Sequence, residues 1–292
     1  MTPSRRCASS EPGAADSQAR LGLSSHLGQS DTASHSNHRG DGVGRGPRGP
    51  QGAPRTPGVL DHLGVAGLAA LLLPGRCAAC GLVAAGPLCD DCLASCRAPP
   101  GPVCPRCGSA WSLRGCGRCR RFGRPFAFEQ AHAHWEFRGA ARLLIHRFKY
   151  GGRRDVLGPL GARLGRDGRL APALEGRPRP LVIPIPMRRA SRRERGYDQA
   201  LELARGLAHS RGLALAPGAL RRRRQPLRAQ VGAPGHQRLR QLRGSFRAGF
   251  RVGGERVLLV DDVMSSGATV DAAARALRCA GALRVDVIVL AT

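Results

Sequence analysis

Aromatic residues are scarce in this chain of 292 residues, where Phe, Trp and Tyr together account for only 4%. A sizeable core is still possible, because 42% of the residues are hydrophobic, mainly Ala, Leu and Val. The scarcity argues against nucleic-acid recognition by stacked aromatic rings. No uncharged apolar run reaches 18 residues, which excludes a membrane span, and no apolar stretch follows the basic N-terminus as in a secretory signal. We therefore expect a cytoplasmic protein with reduced thiols.

Acidic residues and lysine are also scarce. The chain has 20 Asp and Glu against 47 Lys and Arg, a formal net charge of +27, and Lys149 is its only lysine. Sixteen basic and three acidic residues fall between Arg188 and Arg247. A bias in the coding DNA explains part of the arginine content but not this clustering. The cluster favours a polyanionic partner, either nucleic acid or a multiply phosphorylated small molecule.

Composition and periodicity divide the chain into three regions. Residues 1–58, rich in Gly, Ser, Pro and Arg, are expected to be a disordered tail. Residues 59–125 are expected to hold a short apolar helix over 59–73 and a small cysteine-rich ribbon. In residues 126–292, strands alternate with helices, which predicts an α/β domain with a mainly parallel sheet flanked by helices. The predicted strands include 181–185, 257–260 and 285–290, and the predicted helices are 139–150, 195–211 and 269–280.

Eight cysteines form an internal repeat. The spacing C-x2-C-x8-C-x2-C occurs twice, with the second copy 27 residues after the first. Two such pairs can complete a tetrahedral thiolate shell around a structural zinc ion, so we expect two ions. The pattern leaves open whether each repeat closes its own site or pairs combine across repeats. A disulfide framework is the alternative, which the missing secretory signal disfavours. The predicted ligands are Cys77, Cys80, Cys89, Cys92, Cys104, Cys107, Cys116 and Cys119.

The stretch VLLVDDVMSSGAT, residues 257–269, carries the predicted chemistry. Its apolar strand ends at the carboxylates Asp261 and Asp262, where ligands bind in open α/β sheets. Small and hydroxylated residues then lead into a helix, and the backbone N–H groups of such a turn can cradle a monophosphate. A purely structural interpretation makes Thr269 a helix cap and Gly267 a turn residue, but the paired acids favour a bound sugar phosphate. The predicted phosphate-binding residues are Ser265, Ser266, Gly267, Ala268 and Thr269.

This stretch resembles the ribose-phosphate signature of type I phosphoribosyltransferases, and the chain from about residue 60 is similar to the ComF family, named for competence-associated proteins. The resemblance implies a type I phosphoribosyltransferase-like fold after a double zinc ribbon. It also implies a Mg²⁺-dependent transferase of the pentosyl class that binds phosphoribosyl pyrophosphate, with an undefined acceptor. The matching segments are the cysteine pairs, IHRFKYGG (145–152), IPIP, RERGYDQA (193–200), QVGAPGHQRLRQLRGSF (230–246) and VLLVDDVMSSGAT.

The resemblance also assigns roles to residues. Asp261 and Asp262 become the catalytic acids that contact the ribose hydroxyls, directly or with Mg²⁺, while the small-residue loop takes the 5-phosphate. Plainer interpretations cover three other features: Arg221 to Arg224 form a solvated basic face, Tyr197 is a core residue, and Lys149 is an ordinary helix-end lysine. The implied pyrophosphate-binding residues are Pro186, Met187, Arg188, Arg195 and Arg238.

Several alternatives stay open. Arg193 and Arg195 equally fit a helix-surface bridge to Glu194 or Asp198. The whole chain also fits a nucleic-acid-binding protein of DNA uptake or recombination, with the phosphoribosyl site as a sensor or vestige. The partners considered are therefore phosphoribosyl pyrophosphate and single-stranded DNA, and a homodimer is one assembly considered. Ser265 and Ser266 replace the usual threonines of the family but keep the hydroxyl donors. Together with departures at Asp198, Gln241 and Pro234–Gly235, these changes leave phosphate binding credible and weaken the case for efficient catalysis.

Overall fold

The structure is a computed structural model that describes residues 75–123, 125–223, 242 and 244–292, all within the unit Val65–Thr292. The predicted tail, the predicted apolar helix over 59–73 and Arg238 lie outside the described residues. Within these ranges, no helix is both long enough and apolar enough to cross a membrane.

A four-stranded parallel sheet, in the order β1-β6-β5-β2, organises the described chain. The two central strands are runs of Val, Leu and Ile, which is typical of strands covered on both faces. A separate antiparallel pair is formed by β3 and β4, both of which precede β5 in the chain. The strands are β1 (Gln130–Trp135), β2 (Leu181–Pro184), β3 (Leu220–Arg222), β4 (Phe246–Ala248), β5 (Arg256–Val263) and β6 (Arg284–Ala291).

Helices cover both faces of this sheet. One core joins Leu258 and Val260 of β5 to apolar residues of α3, α4 and α7. The other joins Val257 and Leu259 to α8 and, notably, to the cysteines of the second repeat. The helices are α1 (Asp90–Ser95), α2 (Gly117–Phe122), α3 (Gly139–Tyr150), α4 (Leu157–Arg166), α5 (Ala171–Leu174), α6 (Arg189–Arg195), α7 (Gln199–Arg211) and α8 (Ala268–Cys279).

Two glycines allow α4 and α7 to pack in close contact. A methyl group at Gly161 of α4 would collide with the backbone oxygen of Leu203, and one at Gly206 of α7 with that of Gly158. Only a residue without a side chain permits this approach. The packing fixes α7, whose first turn lies beside the functional cleft described below.

The predicted fold class is confirmed: a parallel sheet is flanked by helices and preceded by a cysteine-rich region. The predicted helix over 195–211 is wrong at its start, because the chain breaks there. Gly196 takes a left-handed conformation (φ 78°) that ends α6, and the side chain of Asp198 caps α7 by accepting from the Leu201 N–H. The helices α4 and α6 are absent from the predicted elements.

Candidate active site

A cleft of about 160 Å³ opens beside the carboxyl ends of β2 and β5. Open α/β sheets bind their ligands at this end of the strands. Three features of the chain line it: the acid pair near the carboxyl end of β5, the turn after β2, and basic side chains from α3, α6 and β3. The lining residues are Lys149, Ile185, Pro186, Met187, Arg188, Ser191, Arg195, Asp198, Gln199, Ala200, Arg222, Asp261, Asp262 and Thr269.

The predicted acid pair lies in this cleft. Asp261 and Asp262 both line it, and the Asp262 backbone N–H donates to Asp261 Oδ1 at 2.9 Å. Asp261 keeps partial solvent exposure, yet protein atoms surround its carboxyl group. Burial and the adjacent Asp262 carboxylate raise the pKa of Asp261 to about 8, against the opposing effect of Lys149 and Arg222. Asp261 therefore holds a proton more tightly than an ordinary aspartate.

Lys149 belongs to the cleft, so its interpretation as an ordinary helix-end lysine is wrong. Its Nζ lies 2.8 Å from Asp262 Oδ2, and both side chains are largely buried. The lysine sits in the last turn of α3, one residue before the helix ends at Tyr150. One feature of the sequence indicated this role: Lys149 is the only lysine of the chain.

The small-residue turn after β5, which is predicted to hold a phosphate, adjoins the cleft. Gly267 adopts φ 81°, and a Cβ atom there would lie 2.8 Å from the Phe126 ring, so the position requires glycine. Thr269 lines the cleft, whereas Ser265, Ser266, Gly267 and Ala268 form the adjoining turn at the start of the twelve-residue helix α8. One amide is already partnered, because Ala268 N–H donates to Ser266 Oγ at 3.3 Å.

The turn after β2 faces the acids. Pro186, Met187 and Arg188, which are predicted to bind pyrophosphate, line the cleft. Asp198 supports the turn, because its Oδ2 accepts from the Met187 N–H at 3.4 Å while its Oδ1 caps α7. Burial raises the pKa of Asp198 against the effect of these N–H donors. The carboxylate thereby links α7 to the turn predicted to hold pyrophosphate.

Arg195 also lines the cleft, at the end of α6. Its guanidinium donates to Gln199 Oε1 at 3.4 Å and lies 5.2 Å from the centroid of the Tyr150 ring. Within the described residues its Nε has no hydrogen-bond partner, and neither has Gln199 Nε2. No ion pair joins Arg195 to Glu194 or Asp198 in this part of the chain, so the helix-surface bridge is not formed there. Tyr197 packs against the core and donates its hydroxyl to the Phe148 carbonyl.

Arg222 is a cleft residue that the sequence reasoning assigned to a solvated face. Arg221 and Arg223 are exposed as expected, but Arg222 lies between them in β3 and points into the cleft. Its Nε donates to the Pro186 carbonyl at 3.1 Å, and its guanidinium lies 4.5 Å from the centroid of the Phe246 ring. Burial lowers the pKa of Arg222, with Arg188 acting in the same direction. The sequence offered one indication of this placement, because successive side chains of a strand point to opposite faces.

The eight predicted zinc ligands form two clusters, one from each repeat. In each cluster all four Sγ atoms lie within 4.8 Å of one another. Zinc with Zn–S bonds of about 2.3 Å holds tetrahedral sulfurs about 3.8 Å apart. The Sγ atoms of Cys104 and Cys119 are 3.8 Å apart, and those of Cys80 and Cys89 are 3.7 Å apart. Both donor sets therefore fit zinc, and each repeat closes its own cluster.

One thiol in each cluster favours the thiolate form that binds metal. Burial opposes ionisation of Cys77, but the backbone N–H groups of Cys89 and Cys80 lower its pKa to about 6. Burial likewise opposes ionisation of Cys116, and the Cys119 N–H together with the Cys107 side chain lowers its pKa to about 6. A thiolate is the species that coordinates zinc.

Comparison with known proteins assigns the family. Residues 139–292, more than half of the chain, match the phosphoribosyl transferase domain. The chain belongs to the phosphoribosyl transferase domain family. Its two cysteine clusters, ahead of that domain, confirm the ComF-type organisation that the sequence motifs indicated.

Several relatives carry the same description. The "DNA utilization protein YhgH" of Salmonella typhi is 28% identical over 223 residues, which cover 74% of this chain and 96% of the relative. Its counterpart in Escherichia coli strain K12 is 27% identical over the same coverage.

Among solved structures, a glutamine phosphoribosylpyrophosphate amidotransferase from B. subtilis, complexed with ADP and GMP, matches 47% of this chain with 26% identity and a TM-score of 0.33. This chain spans only 26% of the length of that amidotransferase chain.

Proposed function

We propose that this protein binds phosphoribosyl pyrophosphate with Mg²⁺ and transfers the phosphoribosyl group to an acceptor. One observation carries the proposal: two adjacent carboxylates and Thr269, at the start of α8, share a cleft with a basic turn after the neighbouring strand. A negatively charged sugar bears vicinal hydroxyls for the acids and phosphates for the two turns. The family match makes this ligand class the natural one for the cleft.

The acid side of the cleft holds the sugar. Asp261 and Asp262 offer oxygen acceptors to the ribose hydroxyls, and Thr269 with the turn before it surrounds the 5-phosphate. The two carboxylates and the substrate's own oxygens form the donor set that Mg²⁺ prefers. When bound, the ion neutralises charge on the diphosphate. The Lys149 ammonium, 2.8 Å from Asp262, lies where it can exchange that carboxylate for a phosphate oxygen.

The basic side of the cleft holds the leaving group. In the transfer step the bond from the anomeric carbon to the pyrophosphate oxygen breaks, and the pyrophosphate leaves with the electron pair. A new bond forms from the acceptor nucleophile to that carbon. Arg188, Arg195 and Arg222 surround the place where the leaving charge develops, and such fixed donors stabilise it.

The proposal is tested by titration calorimetry with phosphoribosyl pyrophosphate and Mg²⁺. The wild-type protein should bind, and Asp261→Asn plus Asp262→Asn should weaken binding at least about tenfold, because each lost charge-assisted hydrogen bond costs roughly 1.5–3 kcal/mol. The matched control is Asp90→Asn plus Asp91→Asn, an exposed pair of adjacent acids in α1. Equal affinities in the two double variants, or no binding by the wild type, would contradict the proposal.

Binding of single-stranded DNA is the second candidate. The relatives' description as DNA utilization proteins favours it, and so do the net charge of +27 and the exposed arginines Arg189, Arg192 and Arg193 of α6. Affinity for an oligonucleotide should fall steeply as salt rises, since phosphate contacts release counterions. The acid-pair substitution should leave that affinity unchanged. Absent or salt-independent binding would count against this candidate.

A further inference from the structure

The second cysteine cluster lies directly behind the phosphate cradle. Its residues Cys104, Cys107 and Cys116 share one core with Phe126, Met264 and Ala268, which support the turn. The first cluster contributes to the opposite core, through Ala78. The two repeats are therefore placed differently with respect to the cradle.

A chain of hydrogen bonds joins this cluster to the cradle. Arg118, between Cys116 and Cys119, donates to the Cys107 carbonyl at 3.2 Å and to the Thr292 hydroxyl. The Thr292 hydroxyl in turn donates to the Met264 carbonyl at 3.1 Å. Met264 is the buried residue immediately before Ser265, and its own N–H donates to the Ala291 carbonyl at 3.0 Å.

A second support runs in parallel. Arg106, in the other cysteine pair of the same cluster, donates to the Phe126 carbonyl at 2.6 Å. The Phe126 ring is the group against which Gly267 packs, and it lies 3.8 Å, centroid to centroid, from the ring of Phe122 at the end of α2. Each cysteine pair of the second cluster thus supplies one arginine that supports the turn.

The first repeat lacks both arginines. With the 27-residue offset, Ala79 and Asp91 occupy the positions equivalent to Arg106 and Arg118. Four thiols that could hold a metal come together in both repeats, with or without these arginines. We therefore infer that the two arginines serve a role found only in the second repeat.

We propose that Arg118 is a positioning residue, through which the second cysteine cluster fixes the phosphate cradle of the transferase site. The proposal rests on the proposed function for the identity of the ligand. Arg118 does not touch substrate; it orients Thr292, which holds the carbonyl of Met264 and with it the start of the turn. The cluster, when it holds metal, thereby keeps the backbone N–H groups of the cradle oriented before a phosphate arrives.

The first measurement needs no ligand. Hydrogen–deuterium exchange of the amides of residues 264–269 is compared in wild type, Arg118→Met and Thr292→Val. Both variants should exchange about fivefold to tenfold faster there, since each loses one link of a partly buried hydrogen-bond chain. The double variant should add little to either single one, because both remove the same chain. Arg120→Met is the matched control, because Arg120 is an exposed arginine on the same helix whose guanidinium donates to the Arg114 carbonyl.

The second measurement separates positioning from general loss of structure. Affinity for ribose 5-phosphate should fall by a similar factor in Arg118→Met, while affinity for pyrophosphate with Mg²⁺ should not change, because the pyrophosphate turn lies across the cleft. Equal loss of both affinities would contradict a positioning role. Unchanged exchange in both Arg118→Met and Thr292→Val would overturn the proposal outright. Faster exchange without ribose 5-phosphate binding in the wild type supports the link and rejects only the proposed function.

Discussion

Asp261 and Lys149 are the charged groups that most affect the acid side of the cleft. Asp261 carries a pKa of about 8 because it is buried beside a second carboxylate, and Lys149 pairs with that second carboxylate. A protonated Asp261 reduces the repulsion between the two acids. Binding of a sugar with Mg²⁺ would instead favour the ionised form. Ligand binding and proton release are therefore coupled at Asp261.

The pKa of Asp261 predicts a pH-dependent stability. The folded protein binds this proton more tightly than the unfolded chain, where the pKa is near 3.8. The resulting stabilisation is complete below the unfolded pKa and is lost as the pH rises through about 8. Between about pH 5 and pH 8.5, wild type should lose at least about 1.4 kcal/mol of unfolding free energy relative to Asp261→Asn. Urea unfolding at both pH values measures this difference.

The control for that experiment is Asp90→Asn, an exposed acid in α1. Its stability should follow that of the wild type across the same pH range. A gap between wild type and Asp261→Asn that stays constant with pH would show that the carboxyl titrates normally in the folded protein.

At the scale of elements, the sequence predicted the strands and helices whose conformation depends on the spacing of apolar residues. The strands at 257–260 and 285–290 and the helix at 139–150 appear as expected, since long apolar or amphipathic runs permit few other structures. The helix α4 was not predicted, because it contains Pro159 and three glycines that lower helix propensity. Its leucines at 157, 160 and 164 still form one buried stripe, so close packing on α7 decides the conformation.

The candidate site could be predicted only where residues are consecutive. The acid pair lies near the end of β5 and the small-residue turn follows directly, so their common location depends on local sequence alone. Lys149 and Arg222 enter the cleft from elements far away in sequence, and their charges alone resemble those of the many surface arginines. Strand pairing and helix packing bring them there. Two features of the sequence distinguished them from surface residues: Lys149 is the only lysine of the chain, and Arg222 lies in a strand whose side chains alternate between two faces.

The two cysteine clusters predict how many zinc ions each chain binds. Wild type should hold two zinc ions per chain, because each repeat closes its own cluster of four thiols. Cys89→Ser and Cys116→Ser should each hold one ion, since each removes a ligand from a different cluster. Metal analysis of the purified proteins measures this. Loss of both ions from either single variant would show instead that the repeats share their sites.

At the scale of the whole molecule, the described chain combines a cysteine-rich module with a phosphoribosyl transferase domain through a shared core. The second cysteine cluster, β1 and the start of α8 belong to one apolar cluster. Backbone bonds reinforce the junction, since the Ala131 N–H donates to the Arg106 carbonyl at 2.8 Å. A module packed in this way stabilises the neighbouring site as well as its own fold.

A crystal structure with phosphoribosyl pyrophosphate and Mg²⁺ tests the central claim most directly. We expect the ribose hydroxyls at Asp261 and Asp262, the 5-phosphate in the turn over residues 265–269, and the diphosphate beside Arg188. The Lys149 ammonium should then contact a phosphate oxygen. A sugar bound elsewhere, or a cleft that stays empty at saturating ligand while both acids still face it, would contradict the account.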